Sequence, residues 1–379
     1  MDPEIVRNWV ETSFLSPSPP RASPRKRSRP APSSSPSPSR LTKTRRRRPS
    51  LPRQRRLCYP RPRVAPLSNC KRASSTSGST ASEATSKTVR SPRYRQNVLE
   101  LNGVFISKSR DAAPASVQSL VNAVLGAPRD EAAPSAEELQ RWVRAIVAAE
   151  DLGEEDVGNV LLSSVSLLPS AEHHPLVQRI AKQPFARPDL CLPRISGLAD
   201  GLTTNVPRIS TPVPNVTYGL RDAAFTAQQR VAMATIFPTN AVSEPISELL
   251  WPFLAVEFKA QNKAGSMHTA TNQCAGAGSA AVRAQGILAG QWPVEPPVTH
   301  AAFSCAMDGR SAELFVHYAS EDSAAYHLTS VNRYLLADPD HPARLHLHLH
   351  NIADWGVGNH LTAIKRLLDV QVARALPRG

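Results

Sequence analysis

Residues 251–263 read WPFLAVEFKAQNK, and two of them, Glu257 and Lys259, could do chemistry together. The run is apolar and of strand length. In a strand, residues two apart leave the same face. The carboxylate and the ammonium therefore project side by side, while Val256 and Phe258 point the other way. Either charge is costly to bury without a partner. Two readings meet that cost. In one, the residues form an ion pair near the strand's end, where the sheet meets water. In the other, Glu257 holds a hard cation such as Mg²⁺. Lys259 then positions an attacking water or stabilises a pentavalent phosphate, as in a metal-dependent nuclease. That reaction needs at least one more acidic oxygen ligand from a neighbouring strand.

The surrounding elements have to place this pair. The stretch 265–288 is rich in Ala, Ser and Gly and reads as a helix whose small side chains allow close approach to a sheet. HAAFSCAMDGRSAELFVHYA (300–319) is a hairpin turning at Asp308-Gly309. AAYHLTSVNRYLL (324–336) continues the sheet, and helices follow around 340–353 and 359–375. FTAQQRVAMATIF (225–237) is helical. Upstream, RYRQNVLELNGVFI predicts a short helix, a turn at Asn102-Gly103 and an apolar piece. Residues 116–126 predict a helix stopping at Gly126. SAEELQRWVRAIVAAE (135–150) opens with Ser135 and carries Glu138 three residues on, the capping-box arrangement. Residues 153–168 predict another helix, and 168–214 an irregular, proline-punctuated run. The expected class is α/β, with a mixed central sheet flanked by helices over 201–379 and a helical addition over 91–200.

Residues 1–90 differ in texture. The chain of 379 residues carries a net charge of +14. Residues 1–70 hold 17 Lys/Arg against 3 Asp/Glu, which leaves 28 of each sign in 71–379. The whole excess sits in this tail, so composition gives no support for a basic folded part. The tail is Ser, Pro, Arg and little else, and reads as disordered. Its clusters Arg25–Arg29 and Arg45–Arg48 suit a nuclear import receptor, hence a nuclear location, and also bind phosphate backbones. The many Ser-Pro steps could take phosphate and weaken that charge. The opening EIVRNWVETSF reads as a short amphipathic helix for a partner. The start lacks a secretory pattern, and no run of about 18 apolar residues predicts a membrane span. The five cysteines, Cys58, Cys70, Cys191, Cys274 and Cys305, form no CxxC pair, which fits a reducing compartment.

Several blocks together carry a resemblance. STPVPNVTYGL (210–220), FTAQQ (225–229), PFLAVEFKA (252–260), GSMHTATNQC (265–274), AAFSCAMDG (301–309) and NIADWG (351–356) come in an order that resembles a fungal family of uncharacterised proteins with a PD-(D/E)XK nuclease-like domain. The likeness covers roughly residues 90–375. It implies a restriction-endonuclease-like core with Glu257 and Lys259 as its E-x-K pair, Mg²⁺ as cofactor and Gln273 facing the site. One position departs from the pattern. The family's block looks like STPVPD followed by YGY, so Asn215 stands where its metal-binding Asp would be. An amide oxygen can ligate Mg²⁺ but brings no charge. Asp222 is the first substitute if the turn brings it back; Glu244 and Glu248 are further ones.

Other tempting features predict less. His346, His348 and His350 alternate, but in a helix only His346 and His350 share a face, and they read as surface histidines. His173-His174 beside Glu172 reads as an exposed loop pair. No Gly-rich phosphate loop or nucleophile elbow is present. The expected function is Mg²⁺-dependent phosphodiester hydrolysis, with nucleic acid meeting the tail and the cleft. The alternative is an inactive nuclease fold that binds nucleic acid or protein.

Overall fold

The computed structural model describes residues 89–129, 134–170, 174–194, 206–237, 242–261, 266–291, 300–321 and 325–375. The expectations for the tail, with both basic clusters and its opening helix, lie outside the described residues. So do Glu172 and His173.

Among the described residues seven strands form one sheet. They are β1 (Val104–Ser107), β2 (Val177–Ala181), β3 (Val216–Leu220), β4 (Leu250–Phe258), β5 (Ala301–Met307), β6 (Ser311–Ala319) and β7 (Tyr326–Leu335). Their order is β1-β7-β6-β5-β4-β3-β2. The β1–β7 and β4–β5 pairs are parallel and the others antiparallel, so the sheet is mixed. The expected hairpin is β5–β6, where Asp308 Oδ1 accepts from the backbone N–H of Arg310 and Ser311 at 2.8 Å each.

The helices are α1 (Ala115–Leu125), α2 (Ala136–Ala148), α3 (Glu154–Asn159), α4 (Ala227–Ile236), α5 (Met267–Gln291), α6 (Asp340–Trp355) and α7 (Leu361–Ala375), besides a single turn at Pro188–Cys191. α2 begins with the expected capping box: Ser135 Oγ accepts from Glu138 N, and Glu138 Oε2 accepts from Ser135 N. Thr226 and Gln229 cap α4 in the same way. No described helix is long and apolar enough to cross a membrane.

Two differences from the sequence reading matter for the site. Residues 91–200, expected as a helical addition, also supply both edge strands, β1 and β2. β2 lies inside the run read as irregular. It is short and half-exposed, and its backbone pairing with β3 rather than an apolar pattern defines it. Asn102-Gly103 does turn the chain into β1, and Gly103 takes φ 74°, the left-handed region that favours glycine.

Both sheet faces are covered. All nine residues of β4 are buried. Val256 and Phe258 pack into the larger core with α1, α2, α3, α6 and α7. Ala255 faces the second core, built on the small residues of α5. Small residues are required there. A Cβ on Gly278 would lie 2.2 Å from the ring of His317, which is itself held by Ser304 Oγ at 2.7 Å. That ring sits in full burial, which pushes its pKa down to about 3, so it stays neutral. Gly278→Ala should therefore destabilise the fold by about 1–3 kcal/mol through overpacking, read as a lower urea midpoint. An unchanged midpoint would show that α5 can lift off the sheet at no cost.

Candidate functional site

Glu257 lies in the last turn of pleat of β4, and Lys259 just beyond it continues the pairing by donating its backbone N–H to Met307 O at 2.9 Å. The two share a face, as the period of two requires. Both are buried, with Glu257 1% and Lys259 5% exposed, so this pair is not at the wet edge of the sheet. The ammonium has three acceptors: Phe258 O at 2.7 Å, Glu154 Oε1 at 3.2 Å and Glu257 Oε2 at 3.4 Å. A lysine has three hydrogens to donate, so Lys259 is fully engaged.

Glu154 is the residue that sequence reasoning missed. It opens α3, and its side chain is about 40% exposed. The sequence did hold a signal, the acidic run Glu154–Asp156 in the first turn of a helix. Nothing in it singled out Glu154 or linked it to a lysine 105 positions away.

Asn215 stands beside the pair, in a role other than the one its alignment with an Asp implied. Its Oδ1 accepts from Phe258 N at 2.8 Å, and its Nδ2 donates to Glu154 Oε1 at 3.2 Å. The amide thus ties β3 to the end of β4 and holds Glu154 next to Lys259. Its oxygen is spent on the backbone.

The register explains why the other acidic candidates do not join. Val216 pairs with Val256 and Leu220 with Leu250, so Asn215 lies at the site end of β4 and Asp222 at the far end. Asp222 pairs with Arg230 there, at 3.3 Å. Glu244 accepts from the backbone N–H of Glu248 at 2.7 Å, and both precede β4. At roughly 3.3 Å per residue, the length of β4 puts Asp222 about 20 Å from Glu257.

Gln273 does face the site. It lies on α5 and lines a cleft of about 510 Å³ together with Lys259, Glu154, Asn215, Thr269 and Asn272. Its Oε1 is buried and has no hydrogen-bond partner, and the same holds for Glu257 Oε1. Orphaned buried acceptors are uncommon and costly. Burial also pushes the Glu257 carboxyl up to about 8, against the pull of Lys259, and the nearby Glu154 charge adds to the rise. Among the described residues no three His, Cys, Asp or Glu side chains form a metal cage. Two carboxylates converge on one ammonium, with the Gln273 amide on the adjoining cleft wall; the carboxylate and amide oxygens are donors of the kind a hard cation accepts.

The histidines belong elsewhere and are not at the surface. His348 and His350 are buried on α6, and Tyr334 Oη lies 2.6 Å from His348 Nδ1. The His346 and His350 rings meet on one helix face with centroids 4.1 Å apart and planes tilted by 38°. His174, read as exposed, is buried with Nε2 3.5 Å from Asp354 Oδ1. Apolar packing around an imidazole, which sequence spacing does not reveal, covers them.

Residues 127–368, well over half of the chain, match the family described as Domain of unknown function (DUF7924). The chain belongs to this family. No curated protein matches it. The DUF7924 segment takes in Glu154, Asn215, Glu257, Lys259 and Gln273. It begins after Val89, Arg90 and Tyr94, which complete one side of the cleft.

The clamp formed by Asn215 in this DUF7924 chain gives a sharp expectation. Asn215→Asp keeps the bond from Phe258 N but replaces the amide–Glu154 hydrogen bond with two facing carboxylates. Without a divalent cation it should cost about 1–3 kcal/mol, read from urea unfolding. A raised midpoint would mean that Glu154 does not depend on the amide.

Proposed function

We propose that this protein is a divalent-cation-dependent phosphodiester hydrolase acting on nucleic acid, with a restriction-endonuclease-like core of the PD-(D/E)XK kind. The observation that carries this reading is the trio Glu257, Lys259 and Glu154 at the end of a central strand, the first two buried and Glu154 part-exposed, with Glu257 Oε1 lacking any donor. Glu257 and Glu154 would hold the cation, most simply Mg²⁺; Glu154, Lys259 and Gln273 line the cleft, and Glu257 lies 3.4 Å from the Lys259 ammonium. Asn215 acts by positioning Glu154, so the missing Asp is offset by a carboxylate from another element. The cation supplies charge for the phosphate and acidity for a bound water. The chain's own ammonium, recessed in low dielectric, stabilises negative charge building on the phosphate. The basic tail supports the same reading in two ways. It would add salt-dependent affinity for the polyanion, and its clusters would carry the protein into the nucleus.

A second reading is a fold that binds nucleic acid or protein without cutting. It is favoured by Asn215, whose amide is spent on structure, and by a Glu257 carboxyl that holds its proton at neutral pH. Purified full-length protein with Mg²⁺ or Mn²⁺ and mixed DNA and RNA separates the two. Fragments that disappear in Glu257→Gln and in Glu154→Gln support hydrolysis. Salt-dependent binding with no fragments under either cation supports the second reading.

A further inference from the structure

The shape of the cleft bears on what could enter it, given the hydrolase reading on which this step rests. We propose that the site takes a single, unpaired nucleic-acid strand, of DNA or RNA, and not an intact duplex. Three observations converge. First, the reacting groups are recessed. Lys259 is almost wholly buried yet lines the cleft, so a phosphate must come to it inside the cleft. Base-paired duplex is stiff and does not bend its backbone into a narrow recess, whereas an unpaired strand can.

Second, the cleft holds about 510 Å³, within the roughly 300–1,000 Å³ of small-ligand pockets. That is room for a nucleotide or two, not for a section of duplex.

Third, the lining of the cleft mixes two chemistries. Lys259, Arg90 and Lys182 line it, the last two exposed and Lys182 paired with Glu155 at 3.4 Å, and among the described lining residues Glu154 is the acidic one. Pro184 and Val213 supply an exposed apolar rim, Val213 being 40% exposed. An unpaired strand presents phosphates together with the apolar faces of splayed bases, whereas in a duplex those faces are stacked inside and only phosphates, sugars and base edges are offered. The path also continues. An adjoining cleft of about 600 Å³ shares Ser210 and Thr211 with the first and brings Arg194 and Arg208 to the next stretch of backbone.

The test uses full-length protein, so that the tail contributes equally throughout. One labelled sequence is offered as a free strand, as a blunt duplex and as a duplex with an unpaired overhang, in DNA and RNA forms, with Mn²⁺. The free strand and the overhang should be cut at least about tenfold faster than the blunt duplex, with cuts confined to unpaired nucleotides. Val213→Glu, a change at the rim, should slow strand cleavage about tenfold and leave the Mn²⁺ titration unchanged. Blunt duplex cut as fast as strand overturns the inference and leaves the hydrolase reading intact. If nothing is cut, the hydrolase reading fails, and fluorescence anisotropy still decides the strand question. Loss of strand binding in Val213→Glu with duplex binding unchanged supports the inference. Equal loss of both, or no loss, overturns it.

Discussion

Lys259→Ala is expected to reduce cleavage at least about a hundredfold while the protein stays folded. The size follows from removing a preorganised charge from a low-dielectric site, which typically costs about 10²–10³ in rate. Folding survives for a specific reason. Removing one partner of a buried pair ordinarily costs about 3–5 kcal/mol, because the other charge is left stranded. Glu257 has an escape. Its carboxyl already sits at about 8 with the lysine in place, and without it the group simply keeps its proton at neutral pH. Lys259→Arg should not restore the rate, since a planar fork cannot reproduce three bonds from one nitrogen to Glu154, Glu257 and Phe258 O. The rate is measured with a labelled strand and Mn²⁺, and folding by circular dichroism. A folded Lys259→Ala protein cutting within about threefold of wild type would remove the ammonium from the chemistry.

The second large effect is a stability that falls as pH rises. The Glu257 carboxyl titrates at about 8 in the folded chain, against a usual 4.5. Between those values the folded protein holds a proton that the unfolded chain has released. The group's contribution is therefore fully present below about pH 4.5, is lost progressively as pH climbs to about 8, and is constant beyond. At about 1.4 kcal/mol per unit the whole swing is on the order of a few kcal/mol. Buried histidines act in the opposite sense. His317 is pushed down to about 3, and His348 and His360 to about 4, chiefly by burial. They destabilise the fold as pH drops below about 6.5. Comparison with Glu257→Gln isolates the carboxyl, because the variant keeps the histidines. Urea midpoints of the wild type should fall relative to those of the variant between about pH 5 and about pH 8. Parallel curves would mean that Glu257 is ionised throughout.

How far the sequence reveals this site depends on the range of the interaction. Glu257 and Lys259 were legible because the period of a strand is local and puts them on one face. The capping box at Ser135 and the turn at Asp308 are equally local. Glu154 was not legible, because α3 meets the end of β4 only through tertiary packing, in which Gly158 lies against Phe258. Asn215 could be read as a weakened ligand, but its use as a clamp depends on the register of β3 against β4, which no spacing encodes. The same register removes Asp222. The mixed sheet was readable from its elements, while β2 was hidden among prolines, with a single buried residue, Val177, in place of an alternating apolar pattern.

One measurement reaches the central claim directly: a calorimetric titration of Mn²⁺ into the full-length protein at about pH 7 in two buffers of different ionisation enthalpy. A cation held by Glu257 must displace the proton that this carboxyl carries, so binding should release close to one proton per ion, and both the binding and the release should vanish in Glu257→Gln. Equal Mn²⁺ binding by the variant, or binding by the wild type with no proton released, would contradict a cation site at the end of β4.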